Sequence, residues 1–178
     1  MRIALENGYR IRSYRAGDAA ALVAHADNRN VSRNLRDRFP YPYTPKEADR
    51  WLKHVAAQEP ETSFAIATAE ELIGGIGVEL GEDIHHRAAE IGFWLGETFW
   101  GRGIVTSAVV AFTPWAFERF DLLRIWAGVF ESNPASARVL ERAGYLFEGR
   151  HRAAVMKGGR ALDELVYARV RRGESSAG

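Results

Sequence analysis

Cysteine is absent from the 178 residues. That excludes disulfides, thiolate chemistry and Cys-based metal sites. An excess of one charge is also missing. Lys and Arg number 24 against 23 for Asp and Glu, a formal net charge of +1. The basic residues are scattered among acids, so neither nucleic acid nor another polyanion is expected as a partner. No run approaches the roughly 18 apolar residues of a membrane helix. The start, MRIALEN, turns polar too soon for a signal peptide. A cytoplasmic protein without a membrane partner is the expectation. Phosphate-loop signatures are missing as well. No Lys-Ser or Lys-Thr follows Gly101 and Gly103, and no third glycine stands three residues on. His85 and His86 are adjacent, point different ways and have no i, i+4 partner, so no metal is expected. What is present is a hydrophobic content of 47%, enough for one globular domain with a sizeable core.

The stretch Arg87–Ala108 organises the rest. From Ala88 to Leu95, Ile91, Phe93 and Leu95 alternate with Glu90, Gly92 and Trp94, the period of a two-faced strand. A helix starts at Ile104. Between them, Gly101 and Gly103 remove the Cβ atoms that would keep a ligand from the backbone. The first N–H groups of a helix lack partners and sit at its positive end. Strand, glycine turn and helix start form an anion cradle, most often for phosphate; the alternative is a plain glycine turn.

In chain order, Gly8–Tyr14 reads as a first strand and Asp18 as the cap of a helix over 19–26. Residues 27–38 read as a loop or broken helix. Phe39-Pro40-Tyr41-Pro42-Tyr43-Thr44-Pro45 is extended, because each proline biases its predecessor away from helix. Thr44 caps a helix to about Gln58, with Pro45 first and Glu47 completing a capping box. Strands follow at 63–69, 72–80 and 88–95. Pro114 should kink the central helix or end it early, with 115–120 as a second piece. A strand over 122–130, a helix opened by Asn133-Pro134 and closed at Gly144, and strands at 145–147 and 161–170 complete the chain. Residues 173–178 read as a disordered tail. The order predicts an α+β fold around a central, mixed and mostly antiparallel sheet of about seven strands flanked by helices. Only the pair flanking the Ile104 helix must be parallel.

Trp100-Gly101-Arg102-Gly103-Ile104-Val105-Thr106-Ser107-Ala108 resembles the pyrophosphate loop of the GNAT N-acetyltransferases, in the branch of the ribosomal-protein N-terminal acetyltransferases. Glu131-Ser132-Asn133-Pro134-Ala135-Ser136 through Gly144-Tyr145 resembles the family's second block. Phe39 to Thr44 resembles this branch's substrate-side segment. The three blocks stand in the family's order and are spread over most of residues 8–172. The resemblance implies one GNAT-like domain over residues 1–172, with its two central parallel strands splayed into a V. That gap takes the pantetheine arm of acetyl-CoA as a surrogate strand.

The resemblance also implies roles. Acetyl-CoA is the cosubstrate and no metal is used. The acetyl group passes to a primary amine, a protein N-terminal α-amine or a small-molecule amine, by direct attack in a ternary complex. The N–H groups of Arg102, Gly103, Ile104 and Val105, with the Thr106 hydroxyl, hold pyrophosphate. Arg102 adds charge or is simply a solvated arginine. A strand N–H near Trp94 or Leu95 stabilises the thioester oxygen. Glu90 draws the amine proton through water, or else pairs with an arginine, leaving Glu79 as the substitute base. Asn133 and Ser136 cap a helix. Capping is compatible with Ser136 touching the coenzyme and bonding the departing sulfur. Leu140 stands where many members carry a tyrosine. Phe39, Tyr41 and Tyr43 wall the cleft or merely pack a helix on the sheet. The partner is a peptide or small-molecule amine, and the chain is a monomer or homodimer. The competing reading is a non-catalytic acyl-CoA-binding module, suggested by Leu140 and by the branched Val105 in the loop.

Overall fold

A computed structural model describes residues 1–171; the tail expected at 173–178 lies outside the described residues. The strands are β1 (Arg2–Ala4), β2 (Arg10–Arg12), β3 (Ser63–Ala67), β4 (Leu72–Leu80), β5 (Ala88–Leu95), β6 (Arg124–Phe130), β7 (Leu146–Lys157) and β8 (Arg160–Val170). The helices are α1 (Ala19–Ala26), α2 (Arg29–Ser32), α3 (Pro45–Ala56), α4 (Ile104–Arg119) and α5 (Pro134–Arg142). They flank an 8-stranded sheet in the order β1-β2-β3-β4-β5-β6-β8-β7. Every neighbouring pair is antiparallel except β5–β6. A right-handed crossover through α4 is the ordinary way to join such a parallel pair.

The inward residues of β5 and β6, Ile91, Leu95, Ile125, Ala127 and Val129, share one core with Ala108, Val109, Phe112 and Ala116 of α4 and with Leu140 of α5. Leu22, Ala26, Tyr43, Ala48, Ala65 and Leu72 form a second, smaller core under α1 and α3 on the opposite face. The sheet therefore carries helices on both faces, with a thinner cover on the second.

The differences from expectation have local causes. The sheet has eight strands because a three-residue strand, β1, pairs with β2; three residues are too few to show a period. Asp18 stands at the N-cap position of α1 but its side chain makes no cap bond there. Both its oxygens accept from the buried Arg12 guanidinium at 2.7 Å, and one also accepts the Arg15 N–H. A short helix, α2, opens inside 27–38 because Asn28 accepts the Asn30 N–H. Thr44 does cap α3 with Pro45 at its start, but the helix ends at Ala56. Glu47 turns to Arg50. Pro114 does not end α4, which runs unbroken to Arg119. Pro114 and Val110 lie on the exposed side, where the carbonyl that the missing N–H leaves unbonded is open to solvent rather than buried. β7 runs over Leu146–Lys157, far beyond the 145–147 strand expected, whereas β8 falls within one residue of the expected 161–170; Tyr145 is a core residue bonded to Thr113 at 2.9 Å.

Candidate functional site

The parallel pairing of β5 with β6 stops at Glu90↔Trp126, although the strands run on to Leu95 and Phe130. Their outer edges stay fully paired, β5 with β4 and β6 with β8. A wedge therefore opens in the middle of the sheet. The Gly96 N–H bonds the Ile73 carbonyl, and the Gly81 N–H bonds the Ala88 carbonyl. Bonded pairs alternate along an antiparallel ladder. The backbone groups of Glu90, Gly92 and Trp94 thus turn toward β4, and those of Ile91, Phe93 and Leu95 turn toward the wedge. Of the two residues expected to supply the oxyanion donor, the register favours Leu95 over Trp94. The Leu95 carbonyl is already taken by the Trp100 indole N–H at 2.8 Å. On β6 the same alternation, anchored by Glu131 N–H to Asp163 at 3.0 Å, turns Gly128 and Phe130 toward the wedge.

At one mouth of the turn stands the start of α4. Gly101 and Gly103 have φ of 76° and 74°, left-handed values that a side chain strains. Gly103 is the N-cap without a side-chain cap bond, and the first helical bond runs from Ser107 N–H to Gly103 at 3.0 Å. The N–H groups of Ile104, Val105 and Thr106 precede that bond and have no acceptor within the helix. Val105 packs against the core, which turns its branched side chain away from the loop. Arg102 folds back: it donates to the Thr98 carbonyl at 2.9 Å and lies 5.4 Å over the Phe99 ring. Its place is in closing the turn. The turn is also clamped from outside, by Asn28 and Asn30 donating to Glu97 at 2.7 and 2.9 Å and by His25 against Phe99.

Asn133 and Ser136 meet at the start of α5. The Asn133 side chain accepts the Ser136 N–H at 3.3 Å and donates to the Ser136 hydroxyl oxygen at 2.9 Å. That oxygen is held as an acceptor, which leaves its own proton to donate elsewhere. Leu140, the position without a tyrosine, is buried in the core.

The sheet face opposite α4 carries the acids. Glu79, Glu90 and Trp126 are lateral partners across β4, β5 and β6 and so share that face. Glu164 of β8 joins them. Its carboxyl would lie 2.4 Å from a Cβ at Gly128, so a side chain there would have to push it off β6. A Cβ at Gly92 would meet open space. Arg36 donates to both oxygens of Glu90 at 2.5 and 2.6 Å, and Arg38 donates to both oxygens of Glu79 at 3.2 and 2.7 Å. Burial raises the Glu90 carboxyl above its ordinary range, with Glu79 and Glu164 adding to it and Arg36 opposing. The hydrogen bond from Arg38 lowers Glu79. Arg36, Asp37, Phe130, Met156, Lys157 and Glu164 line an adjoining cavity of about 160 Å³.

The three aromatics separate. Tyr43 is 4% exposed and belongs to the second core, where burial pushes its hydroxyl up to about 12; it is a packing residue. Phe39 packs on Tyr43 and on Trp94 at 5.2 and 5.4 Å, so the Trp94 side chain serves that core too. Tyr41 is exposed. Arg36, Arg38 and Glu164 had not been singled out. Glu164 had a signal, a carboxylate on the strand face it shares with Val166 and Ala168. The arginines had none, since only the fold brings residues 36–38 to β4 and β5.

The Acetyltransferase (GNAT) domain model matches residues 9–146. YdaF of Bacillus subtilis (strain 168) is 36% identical over 87 residues, covering 49% of this chain and 48% of YdaF. The ribosomal-protein-serine acetyltransferase of Escherichia coli (strain K12) is 33% identical over 107 residues, 60% of this chain and 59% of that protein. The chain thus matches about half to three-fifths of the length of these curated relatives. Among solved structures, RimL, a ribosomal L7/L12 alpha-N-protein acetyltransferase in complex with coenzyme A, superposes with a TM-score of 0.84 at 24% identity, over 96% of this chain and 98% of that one. That likeness speaks to the fold. Among the described residues no helix is long and apolar enough to cross a membrane. With its parted parallel pair, its glycine-led helix start and a family match over most of its length, the chain belongs to the GNAT acetyltransferase domain family.

Proposed function

We propose that this protein transfers an acetyl group from acetyl-CoA to a primary amine, a protein N-terminal α-amine or a small-molecule amine, by direct attack in a ternary complex. The observation that carries the reading is the wedge between β5 and β6, with open backbone groups on both walls and acids over one face. The domain responsible is residues 1–172, and an amine on a ribosomal protein or a metabolite would be met in the cytoplasm.

Acetyl-CoA supplies an activated acyl group. The residues around the wedge do the rest. The N–H groups of Arg102, Gly103, Ile104 and Val105, joined by the N–H and hydroxyl of Thr106, hold pyrophosphate at the positive end of α4. The Leu95 N–H, and Phe93 before it, faces the thioester oxygen as charge grows there; one such donor is worth about 10²–10³ in rate. A protein α-amine has a reference pKa of about 7.7–8.0 and an alkyl amine about 10.4, so a proton must leave before or during attack. Glu90 accepts it, directly or through water, and the raised carboxyl suits that task. Ser136, its oxygen held by Asn133, donates to the departing sulfur. A thiol of reference pKa about 8.5 needs little more help, which makes a tyrosine at position 140 dispensable. Tyr41 and Phe39 border the acceptor side.

Thiol release is to be measured with acetyl-CoA and a panel of Ala- and Ser-starting peptides, spermidine and simple alkylamines, beside calorimetry with CoA. Amine-dependent release supports transfer. CoA binding with no release from any amine would favour the non-catalytic acyl-CoA-binding module.

A further inference from the structure

The acceptor side is already filled by a cation of the protein's own. Arg36 places its guanidinium on both Glu90 oxygens at 2.5 and 2.6 Å and lies 3.6 Å from Glu79. An incoming amine arrives mostly as an ammonium, and the guanidinium occupies the place its charge would seek. We infer that Arg36 is a displaceable stand-in for the acceptor's ammonium group, and that the segment 33–44 must release Glu90 before an amine can be acetylated.

This rests on the proposed transferase reading and deepens it, since it makes Arg36 a specificity-determining residue that selects cationic acceptors able to replace it. Three observations support displacement over a fixed brace. The Arg36 side chain is 46% exposed against 19% for Glu90, so leaving carries it into water. Residues 33–44 have no helix or strand, and Asp37 ties the segment to the β7–β8 hairpin through Lys157 at 2.6 Å, with the Asp37 carboxylate 79% exposed and open to competition by water. The cavity of about 160 Å³ lined by Arg36, Glu164 and Phe130 gives the acceptor a way in beside the guanidinium.

Displacement has a chemical consequence. Among the described residues, Arg36 opposes protonation of Glu90, Glu79 from β4 and Glu164 from β8 favour it, and Arg38 also interacts with its charge. Arg38 is engaged with Glu79. Moving Arg36 away therefore turns a paired carboxylate into a better base at the moment an amine is present. A cation too bulky for the Glu90 site, or a neutral acceptor, does not make the exchange.

The test compares the parent with Arg36→Gln, Arg36→Lys and Asp37→Asn, using spermidine and an Ala-starting tetrapeptide as acceptors. An internal competitor that is seated most of the time weakens apparent affinity by the fraction unseated. Arg36→Gln should then lower the acceptor KM roughly tenfold, Arg36→Lys should restore much of the parent value, and Asp37→Asn should shift KM in the same direction by less. The kcat/KM profile reports the free enzyme and kcat the loaded one. Removing Arg36 should raise the acid limb of kcat/KM and leave that of kcat in place. An unchanged or higher KM in both Arg36→Gln and Asp37→Asn, or both limbs moving together, would overturn the proposal and make Arg36 a fixed brace.

A binding arm separates this claim from the transferase reading. Methylammonium, titrated into protein with isotope-labelled glutamate, should perturb the Glu90 carboxyl at lower concentration in Arg36→Gln than in the parent. Equal titrations would overturn the stand-in alone. The expected titrations with no acetylation of any amine would overturn the transferase reading alone.

Discussion

The two faces of the wedge are built from different materials. Under the proposed transferase function, recognition on the coenzyme side is backbone: two left-handed glycines, the unbonded N–H groups at the start of α4, and the outward amides of Phe93 and Leu95. Arg102, a cation on that side, turns back onto Thr98. On the proposed acceptor side, recognition would be side chain: Glu79, Glu90 and Glu164 against Arg36 and Arg38. A backbone site has fixed partial charges and needs no titratable group, so it suits a cosubstrate that never varies. A side-chain site of opposed charges can be retuned by one substitution or one loop movement, so it suits an acceptor that differs between relatives.

That contrast predicts variants that separate cleanly. The largest effect should come from Glu90→Gln, which should lower kcat/KM by about 10²–10⁴ near neutral pH. The loss should shrink as pH rises toward the amine's pKa, and calorimetric affinity for acetyl-CoA should hold. Because Arg36 is half-exposed, it finds water when Glu90 loses its charge, so the melting temperature should move little. Next, Ser136→Ala should reduce kcat by roughly 10–100-fold, the worth of a hydrogen bond to a developing charge, and acetyl-CoA affinity by less. Equal losses would reduce Ser136 to a cap.

Gly103→Ala should act on the other side of the contrast. An alanine at φ of 74° is disfavoured by about 1–2 kcal/mol, and the cost should appear as weaker acetyl-CoA binding with the acceptor KM unmoved. A changed acceptor KM would join the two sides that the account keeps separate. The smallest effect belongs to Glu79→Gln. Arg38 lowers the Glu79 carboxyl, so the pair contributes stability above the ordinary carboxylate range and loses it as pH falls through the lowered value. With the carboxylate 55% exposed, solvent screening keeps that contribution under about 1 kcal/mol. Melting curves at neutral and acid pH should converge for parent and variant only at the acid end.

The same contrast explains what could be read from the chain alone. Glycine placement betrays a backbone site, because Gly101 and Gly103 mark where φ turns positive before a helix. Asn133 and Ser136 likewise announce themselves by their spacing at a helix start. Glu90 was legible as a lone carboxylate on an inner strand. Its partner was not, because Arg36 lies 54 residues away on a segment without periodicity. The fate of Asp18 has the same cause: a cap is a local pattern, whereas the pull of Arg12 needs β2 folded beside it. Tyr43 misled for the opposite reason. A proline-aromatic run looks alike whether its rings face a cleft or a core, and only the packing of α1 and α3 decides.

Amide hydrogen exchange with and without CoA tests the central claim most directly. If the wedge takes the coenzyme as a surrogate strand, the amides of Phe93 or Leu95 and those of Ile104, Val105 and Thr106 should slow together on CoA addition. Trp94, bonded to β4 in both states, should not change. Slowing confined to other parts of the chain, or no slowing at saturation, would contradict the account.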